Sequence, residues 1–234
     1  MQKSFRASRM LATLLVAGGL GLCVSGAAHA ESLDSIVKSV KFDDIKDINK
    51  QLANGLDPNS VDEHGDPLIV IAAREKSDKV AGALAAAPNI NLEATDRAGE
   101  TALMLASLNG DLPLVQGLID KGAEVNRKGW TPLHYAATNG HDDVVRLLLD
   151  RSAYIDAGSP NGTTPVMMAA RGDHASTLTL LLDQGADPAV KNQLGLKAID
   201  FANHYRAPDA IKILTKRTQR LGDAPAPASQ NSAQ

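Results

Sequence analysis

The chain has 234 residues, 44% of them hydrophobic but only 3% aromatic, which allows one folded body with a core of small aliphatic side chains. This composition favours closely packed helices and argues against a β-sandwich, which depends on aromatic and β-branched residues. The net charge of −3 also argues against nucleic acid as a partner, because phosphate binding requires clustered Lys and Arg.

The first thirty residues have the three parts of a secretory signal peptide. The positive residues at the start are Lys3, Arg6 and Arg9. Residues 10–24 are uncharged and largely apolar, but the stretch is shorter than the roughly 20 residues that a membrane-spanning helix needs. Ala-His-Ala at 28–30 places small residues around a larger one, so we expect cleavage after Ala30. The alternative is an uncleaved anchor helix.

The single cysteine, Cys23, lies inside this predicted signal peptide. The mature protein would then contain no thiol, disulfide or thiolate metal ligand. A lipid-modified Cys23 is the alternative, but the bulky Leu22 before it disfavours that modification. Since the segment contains three basic residues and no acidic one, its removal would change the net charge from −3 to −6.

Further along the chain a motif recurs at nearly constant spacing. Its best copy reads Gly-Trp-Thr-Pro-Leu-His-Tyr-Ala-Ala at 129–137, followed by Asn-Gly-His at 139–141 and an apolar stretch at 144–149. The positions that align with the threonine of this copy are Pro67, Thr101, Thr131, Thr164 and Lys197. They are 34, 30, 33 and 33 residues apart. This motif resembles the ankyrin repeat, whose period is 33 residues.

The resemblance implies an all-α fold: an ankyrin-repeat solenoid of helix-turn-helix repeats with short β-hairpin-like finger loops between them. We expect a signal peptide at 1–30, a repeat domain at 31–217 of about six units, and a disordered tail at 218–234. The first and last units are degenerate, as expected of capping repeats that have only one neighbour. The tail is rich in Ala, Pro, Ser and Gln and has almost no large apolar side chain with which to order itself.

The motif positions also have direct physical reasons. Thr131 can cap a helix, and Pro132 fits its first turn, where no intrahelical N–H bond is lost. Ala136 and Ala137 would face the neighbouring helix, where larger side chains would force the stack apart. Gly140 would end the helix in a conformation with positive φ.

Catalytic and metal-binding patterns are weak. The resemblance implies that His134, in the Thr-Pro-Leu-His unit, hydrogen-bonds neighbouring backbone and threonine groups, which favours a structural role over a ligand role. No HExxH motif or nucleophile elbow is present. The tripeptide Arg-Gly-Asp at 171–173 matches an integrin motif, and 161–163 matches a glycosylation sequon, but both fit turns of the repeat. We therefore expect no metal and no cofactor.

In proteins with this repeat the ligand usually lies along a concave face formed by finger tips and first helices. The candidate partner-binding residues on that face are Arg127, Lys128, Trp130, Arg97, Glu100, Asn109, Asn139, Asn161 and Arg171. The alignment also places Leu194, Leu196, His204 and Tyr205 there. Tryptophan and arginine are frequent in binding hot spots, although a tryptophan at this position can also simply brace the loop.

One finger departs from the others. The connection from Gly122 to Thr131 is three residues shorter than that from Gly185 to Lys197. This clipped finger carries two positive charges beside the only tryptophan of the chain. The combination predicts a notch that accepts an acidic loop of a partner.

Together these patterns predict a non-enzymatic protein-binding module, an adaptor, inhibitor or immunity-type partner, in the bacterial periplasm. The alternatives are a permanent structural subunit of an envelope complex, or an enzyme. We expect the partner to be another protein rather than nucleic acid, the mature chain to have no membrane span, and the protein to be a monomer.

Overall fold

The computed structural model describes residues 25–222, which form twelve helices in six consecutive pairs. The helices are α1 (Ser25–Lys41), α2 (Ile45–Ala53), α3 (Leu68–Arg74), α4 (Asp78–Ala85), α5 (Ala102–Asn109), α6 (Leu112–Asp120), α7 (Pro132–Asn139), α8 (Asp142–Asp150), α9 (Pro165–Arg171), α10 (Ala175–Asp183), α11 (Ala198–His204) and α12 (Pro208–Gly222). The all-α solenoid that the resemblance implies is confirmed.

The predicted terminal segments are only partly covered by the described residues. Most of the predicted signal peptide, including Cys23, lies outside them, as does 223–234 of the predicted tail. α1 begins at Ser25, within the segment predicted as signal peptide, and α12 continues five residues past 217. Between residues 25 and 222, no helix combines the length and the apolar character that crossing a membrane requires.

The helices form two layers. The first helices of successive pairs pack on one another, from α3 through α5, α7 and α9 to α11, and the second helices stack in the same way from α2 to α12. The alanines of the motif lie between the first helices: Ala136 and Ala137 are completely buried, as are Ala169 and Ala170. Small side chains at these positions allow the helix backbones to approach closely, as the sequence indicates.

The capping positions also follow the sequence. Thr131 precedes α7 in an extended conformation, and Pro132 occupies the first turn. Gly140 follows α7 with a φ of 74°, a left-handed conformation that favours glycine. Gly110 follows α5 in the same left-handed conformation, so these two repeats end the first helix sharply before the second begins.

Five loops connect one helix pair to the next, and we call them fingers 1 to 5. They comprise residues 54–67, 86–101, 121–131, 151–164 and 184–197. Within the described chain β-pairing is confined to two isolated bridges, Val61 with Pro67 in finger 1 and Thr95 with Thr101 in finger 2. Finger 3 is the shortest, as the spacing of the repeats predicts. We call the surface formed by the fingers and the first helices the finger face.

Candidate functional site

The long fingers are held in shape by one side chain at the start of each turn. In finger 2, Oδ1 of Asp96 accepts hydrogen bonds from the backbone N–H groups of Ala98 and Glu100, both at 2.9 Å. In finger 5, Oδ1 of Asn192 accepts from Leu194 and Leu196 at 3.0 Å. Such polar side chains mimic a backbone turn and fix the loop.

The clipped finger has no such anchor. Asn126 stands at the same distance before the helix, but its Oδ1 accepts from the Tyr154 N–H of finger 4 at 2.8 Å, and residues 127–130 read Arg-Lys-Gly-Trp. Arg127 is half-buried and Lys128 is exposed. The Nη1 atom of Arg127 is buried with no hydrogen-bond partner in the described part of the chain. The finger thus presents two positive charges, one of which is incompletely paired.

In the first half of the finger face, Arg74 is paired with two carboxylates. Arg74 lies 2.9 Å from Oδ2 of Asp66 in finger 1 and 2.6 Å from Oδ2 of Asp96 in finger 2. Burial alone would raise the pKa of Asp96, but hydrogen bonds from the Glu100 backbone and from Arg74 outweigh it and lower that pKa. Arg74 thus links finger 1 to finger 2, while Oδ1 of Asp66 is buried without a hydrogen-bond partner among the described residues.

Two more predicted binding residues lie in finger 2. Arg97 is exposed at its tip. The carboxylate of Glu100 already has a hydrogen-bond partner within the chain, because the hydroxyl of Tyr135 donates to its Oε1 at 2.8 Å. Burial, followed by this hydrogen bond to Glu100, raises the pKa of the Tyr135 hydroxyl above its usual value. Glu100 therefore links finger 2 to α7.

The predicted asparagines also link repeats. Nδ2 of Asn109 donates to the backbone carbonyl of Ala73 at 2.9 Å. Nδ2 of Asn139 donates to the carbonyl of Leu108 at 2.8 Å. Each side chain reaches the end of the preceding first helix, where carbonyl groups lack helical partners. Their amide donors thus stabilise the stack.

A cleft of about 370 Å³ lies in the second half of the finger face. It extends over three repeats, between finger 3 and the last first-layer helices, α9 and α11. Its apolar lining consists of Trp130, Met168, Leu194, Leu196, Phe201 and Tyr205. Its charged or titratable lining consists of Arg171, Asp200 and His204.

One wall of the cleft is fixed by Trp130. The side chain is partly buried, and its ring meets the ring of His134 edge-on, with centroids 5.2 Å apart and planes at 75°. His134 is completely buried, so it gives the indole a rigid support. Trp130 therefore both braces the finger and contributes to the cleft.

Arg171 and Tyr205 also line the cleft. The guanidinium carbon of Arg171 lies 4.9 Å from the centroid of the Tyr205 ring, a cation–π arrangement. Tyr205 also meets His204 edge-on at 4.8 Å. Arg171 forms no salt bridge within the described part of the chain, in contrast to Arg74 at the same motif position.

The cleft is also where apolar side chains reach solvent. Leu194 is 76% exposed, Tyr205 48% and Leu196 38%. They are three of the seven large apolar side chains that are exposed among the described residues. Such clustering marks an interaction surface, whereas single exposed apolar residues need no explanation.

Of the nine predicted site residues, the cleft brings together Trp130, Asn161 and Arg171. The other six do not line it. They lie in fingers 2 and 3 or at the ends of α5 and α7 and are Arg97, Glu100, Asn109, Arg127, Lys128 and Asn139.

Sequence reasoning missed Met168, Phe201 and Asp200 as cleft residues. A signal was present: Met168 and Phe201 both stand four positions after the capping residue, where the best repeat has Tyr135. Asp200 stands three positions after the cap, where its carboxylate accepts from the Lys197 N–H at 2.7 Å.

No group of three His, Cys, Asp or Glu side chains that could hold a metal ion occurs between residues 25 and 222.

Stacked helix pairs with finger loops define an all-α repeat protein. A family model comprising three copies of the ankyrin repeat matches residues 36–128 and again 69–159. A model of a single ankyrin repeat matches 161–193. The chain belongs to the ankyrin-repeat family, whose repeats are protein–protein interaction modules. A search of curated proteins finds no match to the chain.

Proposed function

We propose that this chain is a non-enzymatic binding protein of the bacterial periplasm, acting as an adaptor, inhibitor or immunity-type partner of another protein. It binds that partner through the finger loops and first helices, with the second half of the finger face as the centre.

The cleft supports this proposal most directly. Arg74 is neutralised by two carboxylates, whereas Arg171 lies beside an exposed apolar cluster with no ion pair among the described residues. Tryptophan, tyrosine and arginine are the residue types enriched in binding hot spots, and this cleft has one of each in Trp130, Tyr205 and Arg171. The clipped finger, which contributes Trp130, also carries Lys128 and the incompletely paired Arg127.

Export is supported by the order of basic residues, apolar stretch and Ala-His-Ala in the first thirty positions. Intact-mass measurement on protein from a periplasmic fraction tests it, and we expect a mature chain that begins at Glu31. A chain starting at Met1 in the cytoplasm, or a lipid-modified chain starting at Cys23, would overturn the periplasmic assignment.

The binding role is tested by affinity capture from periplasmic extract followed by calorimetry with the captured partner. Replacing Trp130 with Ala should weaken binding by about 2 kcal/mol or more if it is a hot spot. Replacing both Arg127 and Lys128 with Glu should chiefly slow association and reduce its salt dependence. Thermal melts must accompany both variants, because the Trp130 ring packs on His134 of α7 and Nη1 of Arg127 is buried.

The control is Lys212→Glu in α12, an exposed change in the second layer. It should leave binding as in the unaltered chain. If Lys212→Glu weakens binding while the finger variants do not, the second layer carries the interface. A partner that copurifies permanently at equal stoichiometry would instead indicate a structural subunit.

A further inference from the structure

We propose that the cleft at Trp130, Phe201 and Tyr205 binds an extended segment of the partner in which a bulky apolar side chain stands next to an acidic one. This rests on the proposed function and specifies the chemistry of the partner. The apolar side chain enters the cleft, and the carboxylate pairs with Arg171.

The size of the cleft favours a segment over a folded surface. Its volume of about 370 Å³ is at the lower end of the roughly 300 to 1,000 Å³ typical of ligand pockets. A cleft of this size takes a few side chains. Since finger 3 on one side and α11 on the other border it, a single extended chain can pass between them.

Its walls select an apolar side chain. Trp130, Met168 and Phe201 line the cleft. Leu194 and Leu196, at the tip of finger 5, are exposed. An aliphatic or aromatic side chain that enters would remove the exposed surface of these two leucines and of the Trp130 and Phe201 rings from water, which is favourable in proportion to the apolar area buried.

The charges select an acidic neighbour. Arg171 stacks on Tyr205, and a stacked guanidinium keeps N–H donors at its edge that match a carboxylate in a bidentate arrangement. The negative charge in the cleft, Asp200, accepts a hydrogen bond from the backbone of Lys197. On the neighbouring finger 3, Arg127 and Lys128 extend the positive charge. These cations would repel a basic segment and attract an acidic one.

The end of this chain does not have the required chemistry. Residues 223–234 read Asp-Ala-Pro-Ala-Pro-Ala-Ser-Gln-Asn-Ser-Ala-Gln and contain one acidic residue and no large apolar side chain. A segment from another protein therefore fits better than this tail.

A display library of random twelve-residue peptides, selected on the purified full-length protein, provides the test. We expect enriched peptides to share Leu, Ile, Met, Phe or Trp within two positions of Asp or Glu. Fluorescence polarisation with the enriched peptides should show affinity that falls as salt is raised, because the ion pair is partly exposed. Trp130→Ala should weaken binding of these peptides at least about tenfold.

The decisive variant is Arg171→Glu, which reverses the charge beside Tyr205 and keeps the apolar side chains Trp130, Met168 and Phe201. Selection on it should enrich Lys or Arg in place of Asp or Glu, while the apolar residue is retained. The matched control is Arg146→Glu, the same change at an exposed position of α8 in the second layer, and it should enrich the same peptides as the unaltered chain. Thermal melts of all variants confirm folding.

Three results would overturn the inference: no shared pattern among enriched peptides, an acidic pattern that persists on Arg171→Glu, or the same change of pattern on Arg146→Glu.

Removal of 223–234 should leave the peptide affinity unchanged. A rise in affinity would identify the tail as the occupant. Dimerisation that Trp130→Ala abolishes would identify a second copy. If peptides fail while Trp130→Ala still weakens the captured partner, the proposed function stands without this peptide chemistry.

Discussion

Nε2 of His134 in α7 lies 2.9 Å from the backbone carbonyl oxygen of Thr163 in finger 4, which belongs to the next repeat. The backbone N–H of Thr131 points to Nδ1 of the same ring at 3.2 Å, so Nδ1 accepts and Nε2 carries the proton. Both nitrogens of the neutral ring thus have a hydrogen-bond partner, one in the same repeat and one in the next. Met167, at the equivalent position of the following repeat, instead contacts Thr164 within its own repeat.

Replacing His134 with Leu should lower the free energy of unfolding by about 1 to 3 kcal/mol. The change leaves the buried Thr131 N–H without its present partner, which costs about 1 to 3 kcal/mol, whereas the Thr163 carbonyl keeps the hydrogen bond from the Ser159 N–H at 2.9 Å. Urea denaturation measures the difference. The control is His64→Leu on finger 1, where the side chain is 60% exposed and stability should change by less than about 0.5 kcal/mol. Equal effects at the two positions would contradict the bridging role.

The same histidine should make stability depend on pH. Burial lowers the pKa of His134 from 6.5 to about 4, so between these values the unfolded chain binds a proton that the folded chain does not. Stability should therefore be fully present above about pH 6.5 and fall as the pH drops towards 4, by up to about 3 kcal/mol. The difference between the unaltered chain and His134→Leu, measured by denaturation at several pH values, isolates this contribution. A constant difference from pH 4 to 7 would rule it out.

A carboxylate pair at the starts of α4 and α6 should also make stability depend on pH, but here stability should fall as the pH rises. A hydrogen bond with Asp111, together with burial and the charges of Asp111 and Asp43, raises the pKa of Asp78 from 3.8 to about 6. Oδ2 of Asp111 is buried and has no other partner among the described residues. A proton on Asp78 explains this arrangement, since it can be donated to Asp111.

Between about pH 4 and 6 the folded chain therefore holds a proton that the unfolded chain has released, and this stabilisation is lost as the pH rises towards 6. Asp78→Asn should stabilise the protein at pH 7, because its amide can donate to Asp111 without a second negative charge. The advantage should shrink at pH 4.5. Thermal unfolding at both pH values is the measurement, and an advantage of the same size at both would contradict the shared proton.

The sequence predicted those features that each repeat determines by itself. Thr131, Pro132 and Gly140 form local caps, and their spacing predicts helix boundaries in every copy. The cleft is different, because Trp130 and Phe201 are two repeats apart and come together only through the accumulated stacking of α7, α9 and α11. The sequence shows which cleft residues depart from the repeat pattern. It does not show that they lie next to one another, because that depends on how the repeats stack.

Two glycines should respond to alanine in opposite ways. Gly140 has a φ of 74°, and a Cβ added there would lie 2.6 Å from Nδ1 of His174. His174 has little freedom to move, since its Nε2 lies 2.8 Å from the carbonyl of Thr138. Gly140→Ala should lower the free energy of unfolding by about 1 to 2 kcal/mol from the backbone conformation alone, and by more where the His174 hydrogen bond is broken.

Gly117 provides the matched control in the interior of α6. An added Cβ would meet no atom within 4 Å, and alanine is favoured over glycine in a helix by about 1 kcal/mol. Gly117→Ala should therefore raise stability by about 0.5 to 1 kcal/mol, because it restricts the unfolded chain without strain in the folded one. Urea denaturation of both variants gives the two values side by side. Stabilisation by both substitutions would mean that the turn after α7 tolerates a Cβ and that His174 is free to rearrange.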